Sequence, residues 1–314
     1  MSKKPSKKVP PRRNCGAMMV HNRLIESDPG FRARLAALEN TTLNRLAAAF
    51  AVPSEVTIPV VVHVVYNSAA ENISVAQVKS QIAALNKDYA ATNPDKSKTP
   101  AVWAGLVTDT HIQFKLATKG PNGKKTNGIT RTKTDETGFS DDDGVKSKTT
   151  GGANAWPSSK YLNIWVCTLA GGLLGYAQFP GGPARTDGVV ILNTAFGTTG
   201  TATAPFNLGR TVTHEVGHWL NLRHIWGDTP DCSGSDLVDD TPNAAGPNFG
   251  KPTFPHITCM NGPNGDMFVN YMDYVDDAAM VMFSAGQVVR MRTVLDGPRK
   301  SLVTSGKKLT KKKK

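Results

Sequence analysis

A chain of 314 residues and 33.6 kDa, 39% hydrophobic and 20% charged, is long enough to bury the core of one large or two modest domains and too apolar for wholesale disorder. Its 29 Gly and 20 Pro make it loop-rich, its four Cys are too few for a disulfide scaffold, and no apolar stretch reaches the roughly 20 residues that span a bilayer. The net charge of +12 resides in the termini: without Lys3, Lys4, Lys7, Lys8, Arg12, Arg13, Lys307, Lys308 and Lys311 to Lys314, 25 basic residues face 25 acidic ones, so no basic groove is implied.

The N-terminus carries the charge of a signal n-region with no apolar h-region behind it, so no signal peptide is visible. From about Asp28 to Phe50, Leu35, Leu38, Leu43, Leu46 and Phe50 recur at helical spacing and predict one or two short helices. The composition changes near residue 53. Val56 opens VTIPVVVHVVY, a β-branched run that fits a buried strand. Ser74 and Gln77 form a capping signal for an amphipathic helix to about Ala91.

Strands are predicted around Ile112, near Ile129, from Tyr161, from Leu173 to Phe179 and from Asp187, which together make a mixed sheet with one long helix behind it. The stretch from Leu173 is also a candidate edge strand for an extended peptide. Asn207 to Leu222 is helical by pattern. Gly227 to Val269 is dense in Gly, Pro, Asn and Asp and is expected to be irregular. A last helix is capped by Ser284 and Gln287, and residues 305–314 form a Lys-rich tail. Cys167 and His63, each in an apolar strand, read as core residues.

The chemistry lies in THEVGHWLNLRHIWGD. On a helix, His214 and His218 differ by about 40° and one turn, so both imidazoles can meet one ion. His224 follows six residues later, where a continued helix would aim it away, so the helix must end between them. Asn221 is suited to that left-handed closure. Three neutral histidines leave a tetrahedral zinc one open position, the arrangement of catalytic sites, and Glu215 stands beside them as a general base. Solvated or core histidines on an ordinary helix are the alternative.

HExxHxxxxxH followed by NYMDY at Asn270 to Tyr274 resembles the metzincin clan of metallopeptidases. With the DCSGSDLVDDTPN stretch from Asp231, the finer resemblance is to the bacterial and archaeal branch of the pappalysins, over about residues 55 to 300. It implies an α+β, metzincin-like fold of two subdomains: a twisted mixed sheet, a backing helix and an active-site helix over an irregular C-terminal subdomain. It implies a zinc-dependent endopeptidase acting on protein or peptide substrates, a secreted monomer without a membrane span. Residues 1–53 are then a basic tail and pro-segment, and 54–304 the catalytic domain. The family has Gly where this chain has Asn221.

The resemblance further implies that Met272 floors the site, that Tyr274 steadies the oxyanion, and that Cys232 pairs with Cys259. That bridge would stabilise the fold by about 3.5 kcal/mol on the chain-entropy model; free thiols are the alternative. Asp236, Asp239, Asp240, Thr241 and Asn243 offer hard oxygen ligands as readily as solvated acids, and the resemblance implies calcium on Asp236, Thr241 and the Val238 carbonyl. Cys15 could occupy the open zinc position and hold the chain latent, or be an incidental tail thiol. The branch favours cleavage before Arg or Lys, for which Asp276 and Asp277 are the candidate acidic wall. Two rivals stand beside the peptidase: an inactive zinc- and calcium-binding module, which has no need of Glu215, and a nucleic-acid-associated protein held weakly by its tails.

Overall fold

Residues 11–47 and 54–303 are described by the computed structural model. The lysines of both tails and the expected boundary at residue 53 lie outside the described residues. The helical stretch expected from Asp28 is part of a pair, α1 (Ala17–Ser27) and α2 (Pro29–Ala47), broken at Asp28 with Pro29 opening the second. Proline suits that first position because its missing N–H would be unpaired there anyway.

Strand β1 (Val56–Tyr66) is buried along nearly its whole length, as a parallel strand covered on both faces must be. It is followed by α3 (Val75–Tyr89), whose first turn is capped by the Ser74 side chain accepting from Gln77 N–H, and by the short helix α4 (Ala101–Ala104). The remaining strands are β2 (Ile112–Leu116), β3 (Ile129–Lys133), β4 (Leu162–Cys167), β5 (Gly175–Ala177) and β6 (Val189–Leu192). The sheet runs β2-β1-β4-β6-β5, with β3 also pairing β1. All pairs are parallel except β5 on β6, so the sheet is mixed and β5 is its edge.

Helix α5 (Arg210–Trp219) packs on β5, β6 and α3. Its contact with β5 requires glycine: a Cβ on Gly175 would lie 2.9 Å from Glu215 Cγ. The helix ends as its sequence requires. Asn221 is left-handed at φ 72°, Asn221 N–H donates to His218 O and Leu222 N–H to Gly217 O, the paired bonds of a Schellman closure. Below it, residues 227–283 are irregular, and α6 (Ala285–Asp296) begins with a full capping box of Ser284 and Gln287. The pair α1 and α2 lies across this body, α1 on β5 and α2 on α6. Among the described residues no helix is long and apolar enough to cross a membrane.

Candidate functional site

The closure at Asn221 turns the chain back so that three imidazoles converge. His218 Nε2 lies 3.1 Å from Nε2 of both His214 and His224. Each ring's other nitrogen has an acceptor: His214 Nδ1 donates to Tyr271 O at 2.8 Å, His218 Nδ1 to Leu222 O at 2.8 Å, and His224 Nδ1 to Asp228 Oδ1 at 2.5 Å. With the protons on Nδ1, the Nε2 atoms present lone pairs to one another with no hydrogen between them. Burial and mutual repulsion push the pKa values of His214 and His218 well below the usual range, which keeps both rings neutral. Buried, neutral, facing lone pairs are a donor set that suits a tetrahedral cation such as zinc.

The other expected site residues gather around this point. Glu215 projects from α5 towards β5, and burial pushes its carboxyl up to about 8. The Cys15 thiol donates to Glu215 Oε2 at 3.3 Å, and its Sγ and the three imidazoles have ligand atoms within 4.8 Å of one another. Met272 lies under α5, where a Cβ on Gly217 would sit 2.5 Å from its sulfur. The Tyr274 ring centroid is 4.9 Å from that of His224, and its hydroxyl accepts from Cys15 N–H at 3.3 Å.

Asp277 is buried and forms an ion pair with Arg13 at 2.7 Å, while Arg13 also donates to Thr211 Oγ1 and Val275 O. Asp276 is only partly buried, and its N–H donates to Gly250 O. Between Arg13 and α1 the chain lies along β5, with Gly16 N–H donating to Gly175 O and Leu174 N–H to Asn14 O in parallel register. Further along, Arg23 pairs with Asp143 at 2.8 Å. Glu39 takes both Arg290 terminal nitrogens, at 2.7 and 2.9 Å, and accepts from Asn221 Nδ2 at 3.1 Å.

Cys232 and Cys259 are bonded, with their Cα atoms 5.7 Å apart. The Thr241 hydroxyl lies 2.8 Å from both Asp236 Oδ2 and Val238 O, so those three oxygens meet. Asp240, grouped with them by sequence, is instead engaged with α6, accepting from Ser284 Oγ and Gly286 N–H, and Asp239 is exposed. His63 and Cys167 are buried in the sheet, as expected. Sequence reasoning missed Arg13, Glu39 and Asp228, whose partners are set by tertiary contacts or by the unusual turn after His224.

The peptidase M43 family model, described as pregnancy-associated plasma protein-A, matches residues 145–296. Mature mirolysin of Tannerella forsythia in complex with a cleaved peptide is 52% identical with a TM-score of 0.81, covering 82% of this chain and 99% of that one. A promirolysin mutant of the same organism is 47% identical with a TM-score of 0.87, covering 94% and 99%. An extracellular metalloprotease of Pyricularia oryzae is 33% identical over 294 residues, 89% of this chain and 87% of its own length.

Proposed function

The chain belongs to the pappalysin family of zinc metallopeptidases, and from that premise we propose that it is a latent endopeptidase that cuts before Arg or Lys with Glu215 as its base. The observation that carries this reading is the convergence of three buried imidazole nitrogens beside Glu215, in a cleft filled by the chain's own Arg13 to Gly16.

A zinc ion held by Nε2 of His214, His218 and His224 would supply a Lewis acid to polarise the scissile carbonyl and acidify water. Glu215 takes the proton of the attacking water and returns it to the leaving nitrogen. Tyr274 donates a hydrogen bond from its hydroxyl to the carbonyl oxygen as negative charge grows there, steadying the oxyanion. Met272 fills the space beneath the histidines. Asp277 receives the basic side chain that follows the scissile bond, and Arg13 models that ligand. A denatured protein mixture digested with and without a zinc chelator tests the reading: chelator-sensitive cuts are expected, with Arg or Lys enriched just after them. Cuts that persist in chelator, or none from the chain after activation, would refute it.

Residues 1–53, of which 11–47 are described, act as the basic tail and pro-segment. The greater coverage of this chain by promirolysin than by mature mirolysin supports that role. Cys15 lies where a substrate carbonyl would reach the ion, and as a thiolate it is a strong zinc ligand. Replacing it by Ala is expected to shorten the lag before full-length protein becomes active; an unchanged lag in a time course would remove the thiol from latency.

Asp236, Val238 O and Thr241 hold a structural calcium ion, whose hard oxygen ligands they would supply. At calcium one hundred times its Kd, the fold gains about 2.7 kcal/mol by mass action. Calcium is therefore expected to raise the thermal midpoint of the intact chain but not of Asp236→Ala, and equal shifts would count against the site. The relatives named as extracellular metalloproteases support secretion. Protein found only inside the producing cells would contradict it.

A further inference from the structure

We propose that Asp228 is the positioning residue of the metal centre, its carboxylate holding the His224 ring with Nε2 towards the ion. The inference rests on the reading of the three histidines as ligands. Their rings are held by unlike partners. His214 and His218 donate to backbone carbonyls, which the fold of the Met272 turn and the closure of α5 supply whatever the side chains. His224 donates to a side chain, Asp228, at 2.5 Å.

The difference follows from where His224 sits. It lies beyond the end of α5, without a helix to fix its ring. Trp226 stacks on it at 4.3 Å with planes 6° apart, which sets the plane of the ring. Stacking does not distinguish the ring from the same ring turned by 180°, and that flip would carry Nε2 away from the other two. A hydrogen-bond acceptor at Nδ1 removes the ambiguity. It also fixes the tautomer, leaving the Nε2 lone pair free, and an anionic acceptor makes that nitrogen a stronger donor to a metal.

The backbone is shaped to deliver this acceptor. Gly227 and Asp228 are both left-handed, at φ 66° and 60°, and Gly227 N–H closes the turn onto His224 O. A non-glycine residue in that conformation costs roughly 1 kcal/mol. A Cβ on Gly227 would meet Ser235 N at 2.1 Å, so the turn is wedged against the segment that follows Cys232. The strain at Asp228 is thus held by its surroundings, and its product is the contact with His224.

The test uses the full chain carrying Cys15→Ala, so that no thiol competes for the ion. Zinc affinity is measured by competition with a chromogenic chelator, and the thermal midpoint is measured on the metal-free chain. Asp228→Ala is expected to bind zinc about 10–100-fold more weakly with an unchanged metal-free midpoint. Asp228→Asn, which keeps an oxygen acceptor without the charge, should recover part of the loss. An alanine variant within twofold of its parent overturns the proposal. So does an Asn variant as weak as Ala, or a loss matched by a fall in the metal-free midpoint. A parent that binds no zinc would fail the ligand assignment itself, before any change at Asp228.

Discussion

Glu215→Gln is expected to bind zinc like the wild type and to lose turnover by a factor of about 10² to 10⁴ once activated. The amide fills the same space between α5 and Gly175, where clearance is small, so packing is kept while the proton acceptor is lost. None of the three metal-facing nitrogens belongs to Glu215, and none of their Nδ1 partners does either. The measurement is initial rate on a quenched peptide, with metal content determined on the same sample. Near-normal turnover with full metal would remove Glu215 from proton transfer. An empty site in the variant would reassign it to metal binding.

Asp277→Asn is expected to cost about 2–5 kcal/mol in recognition of a basic residue, roughly 30-fold to several thousand-fold in kcat/KM for Arg or Lys substrates. The carboxylate is fully buried and also accepts from Leu208 N–H, so Asn can keep an acceptor for the backbone while losing the charge. A neutral residue after the scissile bond should suffer far less, and a panel of peptides differing only at that residue reads the difference. An equal loss on neutral and basic peptides would make Asp277 a structural residue. The same substitution is expected to loosen Arg13 and so to speed activation.

The sequence was most legible where local periodicity and chemistry act together. The spacing of His214 and His218 on one helical face, and the need for a left-handed residue before His224, are properties of a few adjacent residues. The closure at Asn221 follows the latter. The buried strand at Val56 and the capped helices at Ser74 and Ser284 were legible for the same reason. Helix α1 was not, because Gly16 offers no side-chain cap and the continuous apolar run Ala17 to Val20 masks the helical spacing of its buried Ala17, Val20 and Leu24.

The expected strand from Leu173 to Phe179 shrinks to Gly175–Ala177; at its start Gly171 and Gly172 are left-handed and Leu173 N–H closes a turn onto Ala170 O. Asp276 and Asp277 are indistinguishable as letters. Tertiary contacts distinguish them: Asp276 N–H pairs with Gly250 O and Asp277 N–H with Pro205 O, while the Asp277 carboxylate accepts from Arg13, Leu208 N–H and Arg210 N–H. Arg13 meets Asp277 across 264 positions, a separation no local pattern encodes.

The N-terminal segment grips the body at Arg13, Cys15, Arg23 and Glu39, from the cleft to Arg290 of α6. A cut after Ala47 breaks none of these contacts. It turns a tethered ligand into a free one, at the cost only of its effective concentration, which for a short linker is of millimolar order. If residues 11–47 belong to the pro-segment proposed above, scission and onset of activity would be separate events, joined by a dissociation step. On that reading, in a crowded, undiluted sample the severed segment would rebind as a multivalent inhibitor, and activity would emerge only when dilution or digestion of that segment removes it.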